Sequence, residues 1–134
     1  MAQPPELLGP RLSLRPLAGD DETHYCSVYT DAELMRLVAT PLSLAAARRA
    51  FAAARKANGT GNLRTAYWTL FERERRVRIG LLGMVGAPDG SDAEVGAMIL
   101  ARWRSRGYAA EAIAELARYA FTTLPLTRLH TRHE

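Results

Sequence analysis

The feature that most constrains the fold is a change of hydrophobic period near residue 100. In 77–99, apolar side chains recur at every second position, in two runs separated by Pro88-Asp89-Gly90, a strong turn signal. In 108–122 they recur at every third or fourth position. A period of two is typical of strands and a period of 3.6 of helices, so the sequence predicts strands followed by an amphipathic helix.

Three strands are predicted to form an antiparallel meander. The first, 65–71, is rich in aromatic and threonine residues, and 73–75 would turn the chain into the second. The second and third strands each carry an alternating set of residues that we expect to share one face: Val77, Ile79, Leu81, Gly83 and Val85, then Ala93, Val95, Ala97 and Ile99.

The segment before the meander is predicted to contain a strand and three helices. The alternation in 11–17 predicts a strand that ends at Pro16. Asp20 and Asp21 favour the start of a helix that runs to Tyr29, and a short helix follows over 31–38. Ser43 is a good N-cap for a third helix that Asn58-Gly59 would end, with Leu44, Ala47, Phe51 and Ala54 on its apolar face.

The helix that follows the meander is predicted to connect two parallel strands. Pro125 would end the helix and 127–132 would form a strand, which a crossover of this kind lays parallel to 93–99. The fold class is therefore α+β, with mixed α and β elements in one domain over 1–134. We expect the helix to bury Ala109, Ala112, Ile113, Leu116, Ala117 and Ala120 and to turn Glu111, Glu115 and Arg118 towards water.

The composition excludes several classes of protein. With 134 residues, 48% of them apolar and 24% charged, the chain fits one globular domain, and we expect neither secretion nor membrane spanning. Cys26, the only cysteine, excludes an internal disulfide framework and a cysteine-based zinc site, and it fits a reducing cytoplasm. The histidines, His130 and His133 among them, lack the spacing of a metal site, so no metal is predicted.

The net charge of +4 comes almost entirely from arginine, because Lys56 is the only lysine. A basic domain of this kind could bind nucleic acid, or the charge could follow from the base composition of the source genome. We favour the second explanation for the overall charge and expect no nucleic-acid partner.

The segment Arg104-Ser105-Arg106-Gly107-Tyr108-Ala109 is the candidate binding site. It joins a predicted strand to a predicted helix, so its backbone N–H groups would meet at a helix N-terminus, where the dipole adds positive potential. Gly107 would let the main chain approach a phosphate, and Arg104 and Arg106 add charge. The alternative is an ordinary polar turn with solvated arginines, and spacing alone leaves both open.

The pattern Arg104-x-x-Gly107-x-Ala109 resembles the acyl-CoA pyrophosphate loop, Q/R-x-x-G-x-G/A, of the GNAT N-acetyltransferases. The flanks, Ala93-Glu94-Val95-Gly96 before it and Tyr108-Ala109-Ala110-Glu111-Ala112 after it, look like the branch that contains the ribosomal-protein N-terminal acetyltransferases. So does the opening Leu12-Ser13-Leu14-Arg15-Pro16-Leu17. The resemblance covers essentially the whole chain, in the right order.

This resemblance implies a mechanism and a set of site residues. The chain would move an acetyl group from acetyl-CoA to a primary amine, with a protein N-terminus as one candidate acceptor. Glu94 would take the amine proton, directly or through water. The pantetheine arm would lie beside Met98, Ile99 and Leu100. The pyrophosphate would lie on Arg104, Ser105, Arg106, Gly107, Tyr108 and Ala109.

Two departures from the family pattern matter. Ser105 stands where the family usually has glycine, and its hydroxyl could still contact phosphate. The family continues with another helix and two strands beyond the point where this chain ends, so the resemblance implies a C-terminally truncated domain. We therefore keep a catalytically inactive acyl-CoA-binding remnant as an alternative function. An unpaired edge at 127–132 would also allow two copies to form a homodimer.

Overall fold

Six strands form one sheet whose spatial order follows their order in the chain. The protein was studied as a computed structural model, which describes residues 3–36, 39–62, 64–88, 91–124 and 126–131. The first five strands pair antiparallel, and the sixth pairs parallel to the fifth. The strands are Leu7–Leu8 (β1), Leu12–Pro16 (β2), Ala66–Glu72 (β3), Val77–Gly86 (β4), Asp92–Ile99 (β5) and Arg128–Thr131 (β6).

The described residues contain four α-helices: Glu22–Tyr29 (α1), Ala32–Met35 (α2), Leu44–Asn58 (α3) and Tyr108–Thr123 (α4). Capping fixes two of their starts, because the Asp31 carboxylate accepts from the N–H groups of Glu33 and Leu34, and the Ser43 hydroxyl accepts from Ala46 N–H. The predicted cap of α3 is confirmed. The mixed α/β fold class and the parallel crossover from β5 through α4 to β6 are confirmed as well.

The two faces of the sheet are covered by different helices. α4 packs on one face, and its core includes Leu14, Trp68 and Leu116. α1 and α3 pack on the other face, where Tyr25, Phe51 and Leu81 belong to a smaller cluster. Burial of these side chains on both faces supplies the main driving force for folding.

β4 contains a β-bulge, so its alternating apolar residues do not all lie on one face as predicted. Leu70 pairs with Gly80 and Phe71 with Arg78, so Ile79 is the extra residue, and the strand changes face there. Ile79 therefore belongs to the core under α4, whereas Leu81 belongs to the cluster under α1 and α3. Val77 and Val85, predicted to share a face with them, are 38% and 48% exposed. The prediction of one continuous apolar face was wrong because an alternating sequence does not reveal an inserted residue.

The N-terminal segment that contains β1 was not predicted, and it changes the environment of α4. Trp68 Nε1 donates to the Pro5 carbonyl at 2.9 Å, and Gly9 lies against the side chains of Glu111 and Glu115. Glu115 is therefore only 9% exposed, and Arg118 donates to its carboxylate at 2.6 Å. The expectation that Glu115 and Glu111 face water was wrong for this reason.

Other predicted positions have mixed outcomes. Leu44, predicted on the apolar face of α3, is 52% exposed because it stands in the first turn, ahead of the buried Ala47, Phe51 and Ala54. No helix in the described ranges is long and apolar enough to cross a membrane. Some residues that the predictions used lie outside the described residues: Leu37, Val38, Asp89, Gly90, Pro125, Arg132 and His133.

Candidate functional site

The loop from β5 to α4 presents the free end of a long helix. A single 3-10 turn at Ala101–Trp103 leads into it, and Gly107 is the N-cap of α4 with φ 84°. The first helical bond runs from Glu111 N–H to the Gly107 carbonyl, so the N–H groups of 108–110 are those that a helix start leaves for other partners. Ser105 also has a positive φ, 63°, which folds the loop tightly around this helix start.

The two loop arginines are exposed and held at the strand end. Arg104 Nε donates to the Ile99 carbonyl at 3.2 Å, and the Arg106 guanidinium lies 5.3 Å from the centre of the Trp103 ring. Both side chains therefore stay close to the start of α4 while their remaining N–H groups face solvent. Two cations beside a helix N-terminus give this loop a positive potential that suits an anionic ligand.

Arg11, which the sequence analysis did not identify as a site residue, binds both this loop and α4, and we call this contact the clamp. Its guanidinium donates to the Arg106 carbonyl and to the Glu111 carboxylate, both at 2.8 Å, and lies 4.2 Å from the centre of the Tyr108 ring. The second carboxylate oxygen of Glu111 accepts from the Arg11 N–H at 2.8 Å and from the Leu12 N–H at 3.1 Å. The hydrogen bond to Glu111 raises the pKa of Arg11 above its ordinary value.

The half of β5 nearest the loop has an open edge. β6 pairs only with Asp92–Val95, so no strand among the described residues lies beside the second half of β5 on that side. Leu100 N–H donates to the Ile79 carbonyl on β4, so the preceding residue, Ile99, directs its main-chain groups the other way. An extended ligand can add to this edge by backbone hydrogen bonds.

A groove of about 380 Å³ opens on the face of the sheet that α1 covers. Glu94, Gly96 and Met98 line it from alternate positions of β5, and Glu94 is exposed there. Glu94 is the only charged residue among the described residues that line the groove. The other lining residues are apolar, aromatic or small: Leu17, Tyr25, Tyr29, Met35, Ala39, Thr40, Leu42, Tyr67, Trp68, Leu81, Leu82, Gly83, Val85 and Ala97.

Three tyrosines form an aromatic wall of this groove. The rings of Tyr25 and Tyr29 have their centres 4.6 Å apart, and Phe51 of α3 lies 5.3 Å from Tyr25 on a side that does not line the groove. Burial, helped by the hydrogen bond and charge interaction with Tyr29, raises the pKa of Tyr25 far above its ordinary value. Burial also raises the pKa of Tyr67. The phenols of Tyr25 and Tyr67 therefore stay neutral at physiological pH.

The family model for the acetyltransferase (GNAT) domain matches residues 11–134. The chain belongs to this family. A search of curated proteins finds no match. Among solved structures, an acetyltransferase from Agrobacterium tumefaciens is 28% identical, with a TM-score of 0.75 over 89% of this chain and 68% of that one.

Two further GNAT-like structures illustrate how far the fold is shared. A spermidine N-acetyltransferase from Vibrio cholerae, solved with CoA and spermine, is 18% identical, with a TM-score of 0.76 over 92% of this chain and 71% of that one. A ribosomal L7/L12 alpha-N-protein acetyltransferase, RimL, is 15% identical, with a TM-score of 0.72 over 88% and 65%. The chain thus spans about two thirds of the length of these structures, and at this identity they show the shared fold alone.

The residues predicted for the GNAT site fall in two places along β5 and α4. Arg104, Ser105, Arg106 and Gly107 lie together in the exposed loop. Ile99 and Tyr108 are 8% and 7% exposed, with side chains in the core under α4, so only their main chains can take part in binding. Ala109 follows in the first turn, while Met98 and Glu94 face the groove and Leu100 packs on the cluster under α1 and α3.

The structure brings together no metal site among the described residues, since no group of three or more His, Cys, Asp or Glu side chains converges there. His130 lies next to Asp92, with Nε2 3.3 Å from a carboxylate oxygen, and Arg128 approaches the same carboxylate. The His130 hydrogen bond, followed by the charge of Arg128, lowers the pKa of Asp92. This cluster joins the two parallel strands at their N-terminal ends.

Proposed function

We propose that this chain is an acetyl-CoA-dependent N-acetyltransferase that acts on a primary amine. One observation carries the proposal: the exposed Glu94, the open edge and the anion-binding loop follow one another in that order along β5 and the loop after it. A ligand with phosphates at one end and a thioester at the other would reach all three. GNAT membership is the second support.

The loop would bind the pyrophosphate. The N–H groups of Tyr108 and Ala109 would donate to phosphate oxygens, as groups at a helix start do. Arg104 and Arg106 would contribute charge-assisted hydrogen bonds, and the Ser105 hydroxyl could donate one more. Met98, Ile99 and Leu100 would lie beside the pantetheine arm, and the main-chain groups of Ile99 would bind its amides along the open edge.

Glu94 would accept the proton of the acceptor amine. When bound, acetyl-CoA supplies a thioester carbonyl for the amine nitrogen to attack. The C–N bond forms, the C–S bond breaks, and the sulfur leaves as the thiolate of CoA. Glu94, which faces the groove beside the open edge, would take the proton from nitrogen directly or through an ordered water.

Two classes of acceptor amine fit the proposal. The similar structures include one enzyme named for spermidine and one named for a ribosomal protein N-terminus, so a small amine and a protein N-terminus are both candidates. The homodimer along β6 stays a prediction, and sedimentation would test it. β6 is the edge strand of the described sheet.

Calorimetry with CoA and a thiol-release assay with acetyl-CoA and a panel of amines test the function. We expect CoA to bind and thiol to be released only when an amine is present. Binding of CoA without thiol release from any amine would favour a non-catalytic acyl-CoA-binding protein. Binding of duplex nucleic acid with a steep salt dependence, and no binding of CoA, would contradict the proposal.

A further inference from the structure

We propose that the acceptor is a small primary amine with an apolar or aromatic body and a single positive charge, bound in the groove beside Glu94. This inference rests on the proposed function and names the acceptor class for the same site. It follows from three properties of the groove: its charge, its walls and its size.

The groove offers one negative charge. Among the described lining residues only Glu94 carries a carboxylate, and the others are apolar, aromatic or, like Thr40, small. A polyamine would place one ammonium group near Glu94 and leave its other ammonium groups against Leu81, Met98 and similar side chains. Desolvated charges without partners are strongly unfavourable, so a groove of this composition selects against polyamines.

The walls suit an apolar or aromatic body. Tyr25, Tyr29 and Tyr67 present aromatic surface to the groove, and Met35 adds a flexible thioether. Aromatic surfaces pack well on other rings and attract a nearby ammonium group through the ring faces. Because burial raises the pKa of Tyr25 and Tyr67, these two phenols add no second negative charge that a diamine could use.

The size favours a small molecule over a peptide. The volume of about 380 Å³ lies near the lower end of the range for ligand pockets, roughly 300–1,000 Å³. A protein N-terminus would also bring the N–H and C=O groups of its following residues onto an apolar surface, where each needs a hydrogen-bond partner. A monoamine brings no such groups.

Val85 is the position that tests this reasoning. It lies directly opposite Glu94 in the register of β4 and β5, lines the groove and is 48% exposed, so a carboxylate can be placed there without disturbing the core. Val85→Asp would put a second negative charge next to the first. Val77→Asp is the matched control, because Val77 is 38% exposed on the same strand but outside the groove.

The experiment compares kcat/KM for 2-phenylethylamine and hexylamine with that for spermidine and for a peptide with a free N-terminus, using acetyl-CoA and thiol release. We expect the apolar monoamines to be at least about tenfold better substrates in the unmodified chain. Val85→Asp should reduce that preference over spermidine by at least about tenfold, since the added carboxylate can pair with a second ammonium group. Val77→Asp should leave the preference unchanged.

Several outcomes would overturn the inference while leaving the proposed function intact. One is a kcat/KM for spermidine or the peptide that equals or exceeds that of the monoamines, and another is a Val85→Asp variant that behaves like Val77→Asp. If CoA binds but no amine reacts, calorimetric titration of hexylamine and spermidine into the CoA complex shows which class of amine the groove binds. Binding of hexylamine alone supports the inference, and any other result contradicts it. Failure of CoA to bind and of every amine to react would instead contradict the proposed function.

Discussion

The loop at the start of α4 and the groove beside Glu94 are adjacent but built in opposite ways. The loop is a continuous exposed segment whose functional groups are backbone N–H groups and arginine side chains. The groove is assembled from side chains of β3 to β5, α1, α2, the segment after α2, and Leu17, which follows β2, and Glu94 is its only charged residue among the described residues. One part is defined by backbone and charge, the other by shape and apolar surface.

Under the proposed function, this difference would separate binding of the acyl donor at the loop from selection of the acceptor amine in the groove. Attraction of a phosphate by an exposed loop is electrostatic, so it weakens as salt screens the charges. Packing of an amine against aromatic walls depends little on salt. Substitutions in the loop should therefore change the affinity for CoA, and substitutions in the groove should change turnover or the choice of amine.

The largest expected effect comes from Glu94→Gln, which keeps the shape of the groove and removes the base. General-base catalysis contributes typically about 10²–10⁴-fold, so we expect kcat to fall by about a hundredfold or more. The affinity for CoA, measured by calorimetry, should not change. A variant with normal turnover would remove Glu94 from the mechanism, and a variant that lost CoA binding would show that the two regions are not separate.

Gly107→Val should weaken CoA binding at the loop and leave the groove unchanged. Valine at φ 84° is strained, and its side chain would meet the Arg11 guanidinium, whose Nη2 lies 3.3 Å from the position of a Cβ. Strain of about 1–3 kcal/mol, together with the blocked approach of phosphate, predicts a loss of about a hundredfold in CoA affinity. Gly59→Ala is the control, because Gly59 has φ −90° and an added Cβ there makes only ordinary contacts.

Charge reversal of Arg104 or Arg106 should have a smaller effect of the same kind. A charge-assisted hydrogen bond is typically worth about 1.5–3 kcal/mol, so each reversal should weaken CoA binding by about tenfold or more. The loss should shrink as salt is added, which a steric effect would not do. Arg49→Glu, on the exposed side of α3, is a matched reversal outside the site. If the Arg104 and Arg106 reversals bind CoA as tightly as the Arg49→Glu control does, the loop is excluded as the phosphate site.

The loop was predictable from the sequence because its properties are local. A glycine before an amphipathic helix and two neighbouring arginines are visible in a few residues, and the period change places them between a strand and a helix. Gly107 is the N-cap of α4, as this interpretation requires. The strands and helices were predictable for the same reason, except where β4 inserts Ile79 and changes face.

The groove and the clamp were not predictable because they depend on distant segments. Arg11 and Glu111 are separated by 100 positions, and only the packing of β2 against α4 brings them together. Val85 and Tyr67 line the groove through pairing of β4 with its neighbours, and Tyr25 and Met35 reach it from two helices. Nothing in the composition of these segments shows that they share a pocket.

Arg11→Gln sharpens the comparison further, because Arg11 is a positioning residue that contacts the loop and not the groove. We expect a several-fold loss of CoA affinity with unchanged kcat at saturating acetyl-CoA. Arg11→Lys should restore part of the affinity, since lysine keeps the charge next to Glu111 but cannot reproduce the fork of two donors. If Arg11→Gln lowers thermal stability without changing CoA affinity, the clamp is structural only.

The smallest effect concerns pH and lies outside both regions. His24 Nε2 lies 2.9 Å from the Gly80 carbonyl, and burial lowers the pKa of His24 below its ordinary value of 6.5. The unfolded chain therefore binds a proton more readily than the folded chain, so this residue makes the free energy of unfolding fall as pH drops below about 6.5.

His24→Gln, whose side-chain amide can still donate to Gly80, should flatten that part of the profile in denaturant melts between pH 7 and 5. If His24→Gln shows the same slope as the unmodified chain, another buried group controls stability in this range. This variant should not change the affinity for CoA, since His24 does not belong to the loop.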